Sequence, residues 1–266
     1  MTRWSGRVAF AVALPSLAAS VISAAFAGEQ TSTYRASGAQ SGLFDQYDND
    51  GYSLAVAAGE GGSVELKVRV LDAPLESAAP FPTAAGPDRA LPPAPERDVF
   101  AREKTRGSAT QADAVRRVLL AIASEIRYDP DRDRNQDPAA VFASRRAYCV
   151  GYAELAVDLL RRVGISARTV QGVLRTDAGA DRYDADIGGV YHRWIEVWYP
   201  DRGYAFSDPA ASINGVDARY VPFDRRSLTR PKSLRITEVQ RREGVLRYSP
   251  VRAGKTTVLV RPARER

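Results

Sequence analysis

The chain of 266 residues contains one cysteine, Cys149, and one histidine, His192. A cysteine thiolate can attack an amide carbonyl, and histidine is the side chain that most often transfers the accompanying proton. Asp208 follows on the next strand-like segment, where its carboxylate could fix the orientation of the imidazole. These residue types, in this order, predict acyl transfer through a covalent cysteine intermediate.

Each of the three residues also has a structural interpretation. Cys149 could be a small core residue, His192 a hydrogen-bonded strand residue, and Asp208, which precedes Pro209, the start of a turn. For each residue alone, the structural interpretation is the commoner one. Single copies of Cys and His, on elements that can meet, favour catalysis.

A helix is predicted to begin at Cys149 and to end before Gly164, because apolar residues recur on one helical face between them. That face comprises Leu155, Ala156, Leu159, Leu160 and Val163. At the start of a helix, unpaired backbone N–H groups and the positive end of the dipole favour a thiolate over a thiol. The predicted helix therefore places Cys149 where its reactivity would be raised.

Further elements are predicted on both sides of this helix. Thr110 and Asp113 resemble a capping box before a helix over 111–127, and Asp137-Pro138 opens a short helix. Downstream, the strand-like segments are 166–175, 190–200 and 203–209. Helices followed by antiparallel strands are typical of an α+β fold, in which His192 and Asp208 would lie on neighbouring strands.

The segment from about 145 to 210 resembles the core of transglutaminase-like cysteine enzymes, which have a papain-like fold. The residues that carry the resemblance are Cys149, Tyr152, Ala153, Leu155, Leu159, Leu160, Arg161, Gly164, Ile165, Ala167, Arg168, His192, Trp194, Glu196, Val197, Asp208 and Pro209. The resemblance implies that Cys149 is the nucleophile, His192 the general base and acid, and Asp208 the orienting carboxylate. It also implies that the reaction passes through a thioester intermediate and requires neither a cofactor nor a metal.

The resemblance also implies an oxyanion hole, formed in part by the backbone N–H of Cys149. The second donor would come from upstream, with Tyr128 and Gln136 as candidates. Two positions depart from the family pattern, Ala147 in place of a common glycine and Arg193 in place of a small residue. Strand alternation puts Arg193 on the face opposite His192, where we expect it to contact solvent or a flanking segment.

Residues 1–27 are predicted to be a secretory signal peptide, because an apolar run follows two arginines and ends in Ala25-Phe26-Ala27. An uncleaved membrane anchor is the alternative. Export to the periplasm or the cell exterior is therefore expected. The expected organisation is a signal peptide (1–27), a small β-rich region (28–72), a Pro/Ala-rich linker or strap (73–107), a catalytic core (108–225) and a β-rich C-terminal segment (226–266).

Composition restricts the partners. The formal net charge is +6, and the basic stretches lack the interleaved aromatic residues of a nucleic-acid groove, so no nucleic-acid partner is expected. A single cysteine excludes an internal disulfide. The acidic segments 45–51 and 129–135 lack the Gly at the sixth position and the Glu at the twelfth position of a calcium loop, and we interpret them as turns.

The leading interpretation is a peptidase or amidase that acts on a peptide or protein without stable membrane insertion after signal cleavage. Protein cross-linking by transfer to an amine is the alternative within the same chemistry, because the triad does not determine the acceptor. A non-catalytic binding module with this fold is the competing class. The oligomeric state is left open by the sequence.

Overall fold

The structure is a computed structural model that describes residues 28–39, 42–82, 91–176, 188–225, 231, 233–242 and 244–263. The predicted signal peptide, residues 1–27, lies outside these ranges. Among the helices of the described ranges, none combines the length and the apolar composition that a bilayer-spanning helix requires.

The described residues form helices and strands in the α+β arrangement that the sequence predicts. The helices are α1 (Pro95–Thr105), α2 (Gln111–Glu125), α3 (Pro138–Ser144) and α4 (Cys149–Arg162). The strands are β1 (Glu29–Ser37), β2 (Tyr47–Asn49), β3 (Tyr52–Ala58), β4 (Val64–Leu71), β5 (Arg127–Tyr128), β6 (Arg146–Ala147), β7 (Ala167–Leu174), β8 (Val190–Tyr199), β9 (Gly203–Ser207), β10 (Ser212–Ile213), β11 (Tyr220–Pro222), β12 (Arg235–Arg242), β13 (Ser249–Ala253) and β14 (Thr256–Val260).

Local sequence signals account for the helix ends. The hydroxyl of Thr110 accepts a hydrogen bond from the backbone N–H of Asp113, as the capping pattern predicts for α2. Pro138 occupies the first turn of α3 after Asp137. After α4, Gly164 adopts a φ of 82°, a conformation that glycine tolerates at helix ends.

Four antiparallel strands form the central sheet, in the order β11-β7-β8-β9. Its register places Gly172 of β7 opposite His192 of β8. Asp208 immediately follows β9, the other neighbour of β8. The predicted placement of His192 and Asp208 near one another on adjacent strands is therefore the one that the structure adopts.

The two flanks of the chain meet in a second sheet. Strand β12, from the C-terminal segment, pairs with β1, so that the five strands run in the order β12-β1-β4-β3-β2. Within the region 28–72, which the sequence predicts to be β-rich, strands β3 and β4 form an antiparallel hairpin. Strands β13 and β14 form a separate antiparallel hairpin, joined by β10.

The range expected to be a linker, 73–107, contains helix α1 and is packed against the rest of the chain. Leu75, Ala101 and Thr105 in this range are buried. Helix α1 has few apolar residues, so its sequence shows no clear helical stripe. Long-range contacts stabilise it instead, including an ion pair of 2.7 Å between Asp98 and Arg162 of α4.

The central sheet lies between two apolar clusters. On one face, Ile195 and Val197 of β8 pack with α2 and α4. On the other face, Trp194 and its neighbours pack with the second sheet. This three-layer arrangement fixes the strand that carries His192 from both sides.

Candidate active site

Cys149 is the first residue of α4 and is 8% exposed. Its backbone N–H belongs to the first turn, where helical geometry provides no carbonyl partner. Gly151 lies two residues after Cys149 in the same turn. It permits close packing, because a Cβ there would lie 2.5 Å from Oε1 of Gln136 and 2.8 Å from Cβ of Ala147. The start of the helix is thereby held tightly against the segment that precedes it.

His192 and Asp208 are hydrogen-bonded, with 2.6 Å between Nε2 and Oδ2. The thiol of Cys149 and the imidazole of His192 line the same small pocket, and each side chain shifts the pKa of the other. Because Nε2 faces the carboxylate, Nδ1 is the ring nitrogen left for the sulfur. The structure therefore brings the three residues that the sequence singled out into one connected arrangement of thiol, imidazole and carboxylate.

The imidazole is held by an aromatic wall. The Trp194 ring stacks beside His192 with 6.1 Å between centroids and 21° between planes, and Tyr220 meets His192 edge-on at 5.8 Å. Gly172 makes room for this packing, since a Cβ there would lie 2.5 Å from the Trp194 ring and 2.2 Å from the carbonyl oxygen of Val221. A glycine in the middle of a strand pattern is the sequence signal for such a close approach.

The site favours a charged pair of thiolate and imidazolium. Burial of Cys149 opposes ionisation, but the hydrogen bond and charge of His192 and the backbone N–H of Arg193 hold the pKa of the thiol below its ordinary value. Burial of His192 would lower its pKa, but the charge and hydrogen bond of Asp208, together with Cys149, raise it to about 10. At neutral pH both shifts favour the proton on the imidazole.

Asp208 is buried, and both of its carboxylate oxygens accept hydrogen bonds. Its Oδ1 accepts from the backbone N–H of Ala210 at 2.9 Å, and its Oδ2 accepts from the hydroxyl of Tyr220 at 2.8 Å as well as from His192. Burial alone would raise the pKa of this carboxyl, but the imidazolium charge and these donors lower it. The carboxylate is thus kept ionised beside the ring that it orients.

Arg193 lies closer to the chemistry than the sequence predicted. The residues that line the small pocket at the thiol are Cys149, Val150, Gln171, Gly172, Tyr191, His192, Arg193 and Phe223. The Arg193 guanidinium donates to Glu154 of α4 at 2.9 Å and to Gln171 at 2.7 Å, while its backbone N–H contacts the sulfur. The expectation of contact with solvent or a flanking segment was wrong, because the opposite face of β8 packs against the helix that bears Cys149.

The two candidates for a second oxyanion donor differ in their contacts. Gln136 accepts from the backbone N–H of Tyr148 at 3.1 Å and donates to the carbonyl of Arg134 at 3.0 Å, so its amide holds the turn before α4. Tyr128 lies on β5, paired with Ala147 of β6, and is 57% exposed. Of the two, Tyr128 has the more exposed side chain.

The acidic segment 129–135 forms successive turns, as interpreted from the sequence. Backbone N–H groups of Asp131 and Asp133 donate to the carboxylates of Asp129 and Asp131, respectively. The buried carboxylate of Asp129 also forms ion pairs with Arg134 at 3.1 Å and Arg146 at 2.8 Å. Its charge is therefore balanced by two guanidinium groups. In the part of the chain that the structure describes, there is no group of three or more potential metal ligands.

A family model, that of the transglutaminase-like superfamily, matches residues 98–209. This segment begins in α1 and includes Cys149, His192 and Asp208. The resemblance to the transglutaminase-like superfamily that the sequence predicts is therefore confirmed for residues 98–209. The match ends at the residue after Asp208, so the second sheet and the β13–β14 hairpin lie outside the transglutaminase-like segment.

The individual relatives are distant. The uncharacterized protein YebA of Bacillus subtilis is 29% identical over 87 residues, which make up 30% of this chain and 12% of YebA. This chain therefore corresponds to a small part of that relative.

Two solved structures are similar in outline. A candidate cysteine protease from Cytophaga hutchinsonii is 12% identical, with 87% of this chain and 96% of that chain covered and a TM-score of 0.46. The periplasmic domain of TgpA from Pseudomonas aeruginosa is 15% identical, with 70% and 88% covered and a TM-score of 0.37.

Proposed function

We propose that this protein is a cysteine acyl transferase that hydrolyses amide bonds of a peptide or protein substrate. The observation that supports this proposal is the arrangement at the start of α4, in which Cys149 and His192 line one small pocket and His192 is hydrogen-bonded to Asp208 at 2.6 Å. A thiol whose pKa is lowered, beside an imidazole oriented by a buried carboxylate, is suited to nucleophilic attack on a carbonyl.

In the proposed acylation step, the thiolate of Cys149 attacks the carbonyl carbon and a C–S bond forms. The negative charge that develops on the oxygen would be stabilised by the free backbone N–H of Cys149. The imidazolium of His192 then donates its proton to the leaving nitrogen, and the C–N bond breaks. The products are an amine, a neutral imidazole and a thioester on Cys149.

Deacylation reverses the proton movement. Neutral His192 removes a proton from a water molecule as its oxygen attacks the thioester, and the C–S bond breaks. The carboxylic acid leaves, and the thiolate and the imidazolium are restored. Transfer to a primary amine would follow the same steps with nitrogen as the attacking atom, so the identity of the acceptor decides between hydrolysis and cross-linking.

Export is part of the proposal, and it rests on the signal-peptide pattern in residues 1–27. A peptide or protein substrate would then be met in the periplasm or outside the cell. Cell fractionation, with the N-terminal residue of the recovered protein determined by mass spectrometry, checks this part. Recovery in the cytoplasm with residues 1–27 still attached would contradict it.

Mass spectrometry of intact protein after rapid acid quenching tests the activity. Incubation with a peptide mixture should add an acyl mass to Cys149, the only cysteine, and the adduct should be absent in Cys149→Ala. A primary amine added to the mixture should leave the product carboxylic acid dominant if hydrolysis is the reaction. Dominant amide products would instead support the transamidase, and the absence of any adduct over a broad peptide library would contradict an acyl transferase.

A further inference from the structure

Tyr220, at the start of β11, lies directly against the proposed triad and outside the residues of the family pattern. It is 3% exposed, and its hydroxyl donates to Oδ2 of Asp208 at 2.8 Å. The same oxygen accepts from Nε2 of His192 at 2.6 Å. The Tyr220 ring also packs edge-on against Trp194 at 5.3 Å, so it touches both the carboxylate and the aromatic wall of the imidazole.

We propose that Tyr220 is a positioning residue that fixes the carboxylate of Asp208 and, through it, the imidazole of His192. The terminal torsion of an aspartate side chain is broad, so a carboxylate needs partners to hold its plane. Here the backbone N–H of Ala210 holds Oδ1 and the Tyr220 hydroxyl holds Oδ2. The inference rests on the proposed function, because it assigns Tyr220 a part in the same reaction.

The location of the Tyr220 hydroxyl is set by the second sheet. Three buried tyrosines of that sheet donate hydrogen bonds to backbone carbonyls of the segment that carries Tyr220. The pairs are Tyr34 with Ala218 at 2.7 Å, Tyr52 with Tyr220 at 2.7 Å and Tyr47 with Phe223 at 2.9 Å. The second sheet, although outside the matched family segment, therefore holds a residue that contacts the site.

Three charged side chains act on the hydroxyl of Tyr220. Asp208 is the nearest, and the other two that act on it, Asp217 and Arg219, are paired with each other at 2.7 Å. Burial and the charge of Asp208 keep the pKa of Tyr220 well above its ordinary value. The hydroxyl consequently remains a donor, while His192 is faced by Cys149 from α4 and by Asp208 from the end of β9.

The single histidine makes a direct test possible. In protein labelled with ¹⁵N-histidine, every imidazole signal reports His192. Tyr220→Phe should raise the pKa of the imidazolium by about half a unit, because the full carboxylate charge is then left to the imidazole. Tyr199→Phe is the matched control, since it removes a hydroxyl equally buried but bonded to the side chain of Asn214 at 2.7 Å. It should lower the melting temperature similarly without moving the imidazole titration.

A second substitution should shift the imidazolium pKa in the opposite direction. It also provides a test if Tyr220→Phe fails to fold. Site-specific replacement of Tyr220 by 3-fluorotyrosine makes the hydroxyl a stronger donor and should lower the imidazolium pKa. If both variants fold, an imidazolium pKa equal to that of the wild type in both would overturn the proposal. If Tyr220→Phe does not fold, an unchanged pKa in the fluorinated protein would overturn it. A failure of the proposed function would give a different result. In that case the imidazolium pKa of His192 in the wild type would be about 6.5 and would not change in Cys149→Ala.

Discussion

Strand β8 separates two layers that are built in different ways. Ile195 and Val197 face the helices, where the contacts are apolar. Trp194 and Glu196 face the second sheet, where apolar packing is combined with buried polar contacts. Glu196, fully buried, pairs with Arg168 and Arg225 and accepts from Asn49 at 3.1 Å.

The difference between the layers concerns what each contributes to the site. The helical layer presents Cys149 through a local feature, the start of α4. The second sheet acts over long sequence separations, through hydroxyls and ion pairs that hold β11 and the strand bearing His192. Stability should therefore depend on both layers. Apart from Cys149 itself, only residues on the side of Asp208 and Tyr220 should affect the protonation of His192.

The largest effect is expected where the two layers meet. Cys149→Ala removes the nucleophile, so turnover should fall by about ten-thousandfold or more. Circular dichroism and cooperative thermal unfolding should be retained, because helix α4 keeps its other buried residues. Turnover equal to that of the wild type would exclude a covalent role for this residue.

Asp208→Asn should lower turnover by about a thousandfold, because the amide cannot stabilise the imidazolium and favours the wrong tautomer. The measurement is kcat on the peptide identified by acyl-enzyme trapping. Asp201→Asn provides the control, since Asp201 also accepts from a hydroxyl, that of Ser77, and from a backbone N–H, that of Ala78. An equal loss of kcat in both variants would point to a general structural effect.

On the helical side, Leu159→Ala should lower the free energy of unfolding by about 2–5 kcal/mol, because it leaves a cavity in a fully buried cluster. Urea denaturation measures this change. The pH dependence of activity in the folded variant should match that of the wild type. A shifted pH profile would contradict the separation of roles between the two layers.

On the opposite side, Gly172→Ala should destabilise the protein by about 1–3 kcal/mol, because the new methyl group overlaps the Trp194 ring and the Val221 carbonyl. Displacement of Trp194 should also change the chemical shift of the His192 imidazole. An unchanged imidazole signal, together with unchanged stability, would show that the close approach is not required.

The smallest effect is expected for Arg193→Gln. This change removes the guanidinium bonds to Glu154 and Gln171 but keeps the backbone N–H that contacts Cys149. Both lost bonds are on the partly exposed side chain and away from the sulfur, so turnover should fall by only about fivefold, which corresponds to about 1 kcal/mol, with the pH profile retained. A loss as large as that of Asp208→Asn would mean that Arg193 takes a direct part in the reaction.

The sequence predicted the helical side of the site well, since periodicity and capping are local signals. Helix α4 begins at Cys149 and its apolar face is buried, and the central strands lie within the predicted segments. Helix α1 was not predicted, because its contacts are long-range and its apolar pattern is weak. The division of the chain into five parts stays an interpretation.

The surroundings of the imidazole could be predicted only in part. Trp194 belongs to the family pattern, but no local signal connects Tyr220 with Asp208 or Tyr52 with the segment of β11. These contacts depend on how two sheets pack, which a single sequence does not specify. Strand alternation correctly placed Arg193 on the face of β8 opposite His192. Its contacts were missed because the sequence did not show that α4 packs on that face.

The pH dependence of Cys149 alkylation by iodoacetamide, in the wild type and in His192→Ala, tests the thiolate–imidazolium pair most directly. The single cysteine makes the added mass specific. In the wild type, reactivity should rise through a midpoint below the ordinary thiol value of about 8.5 and then stay level at higher pH, because alkylation consumes the thiolate and needs no proton from His192. In the variant, burial without the imidazolium should move the midpoint to about 8.5 or above, which lowers the rate at pH 7 by about thirtyfold. One shared midpoint near about 8.5 in both proteins would contradict the pair.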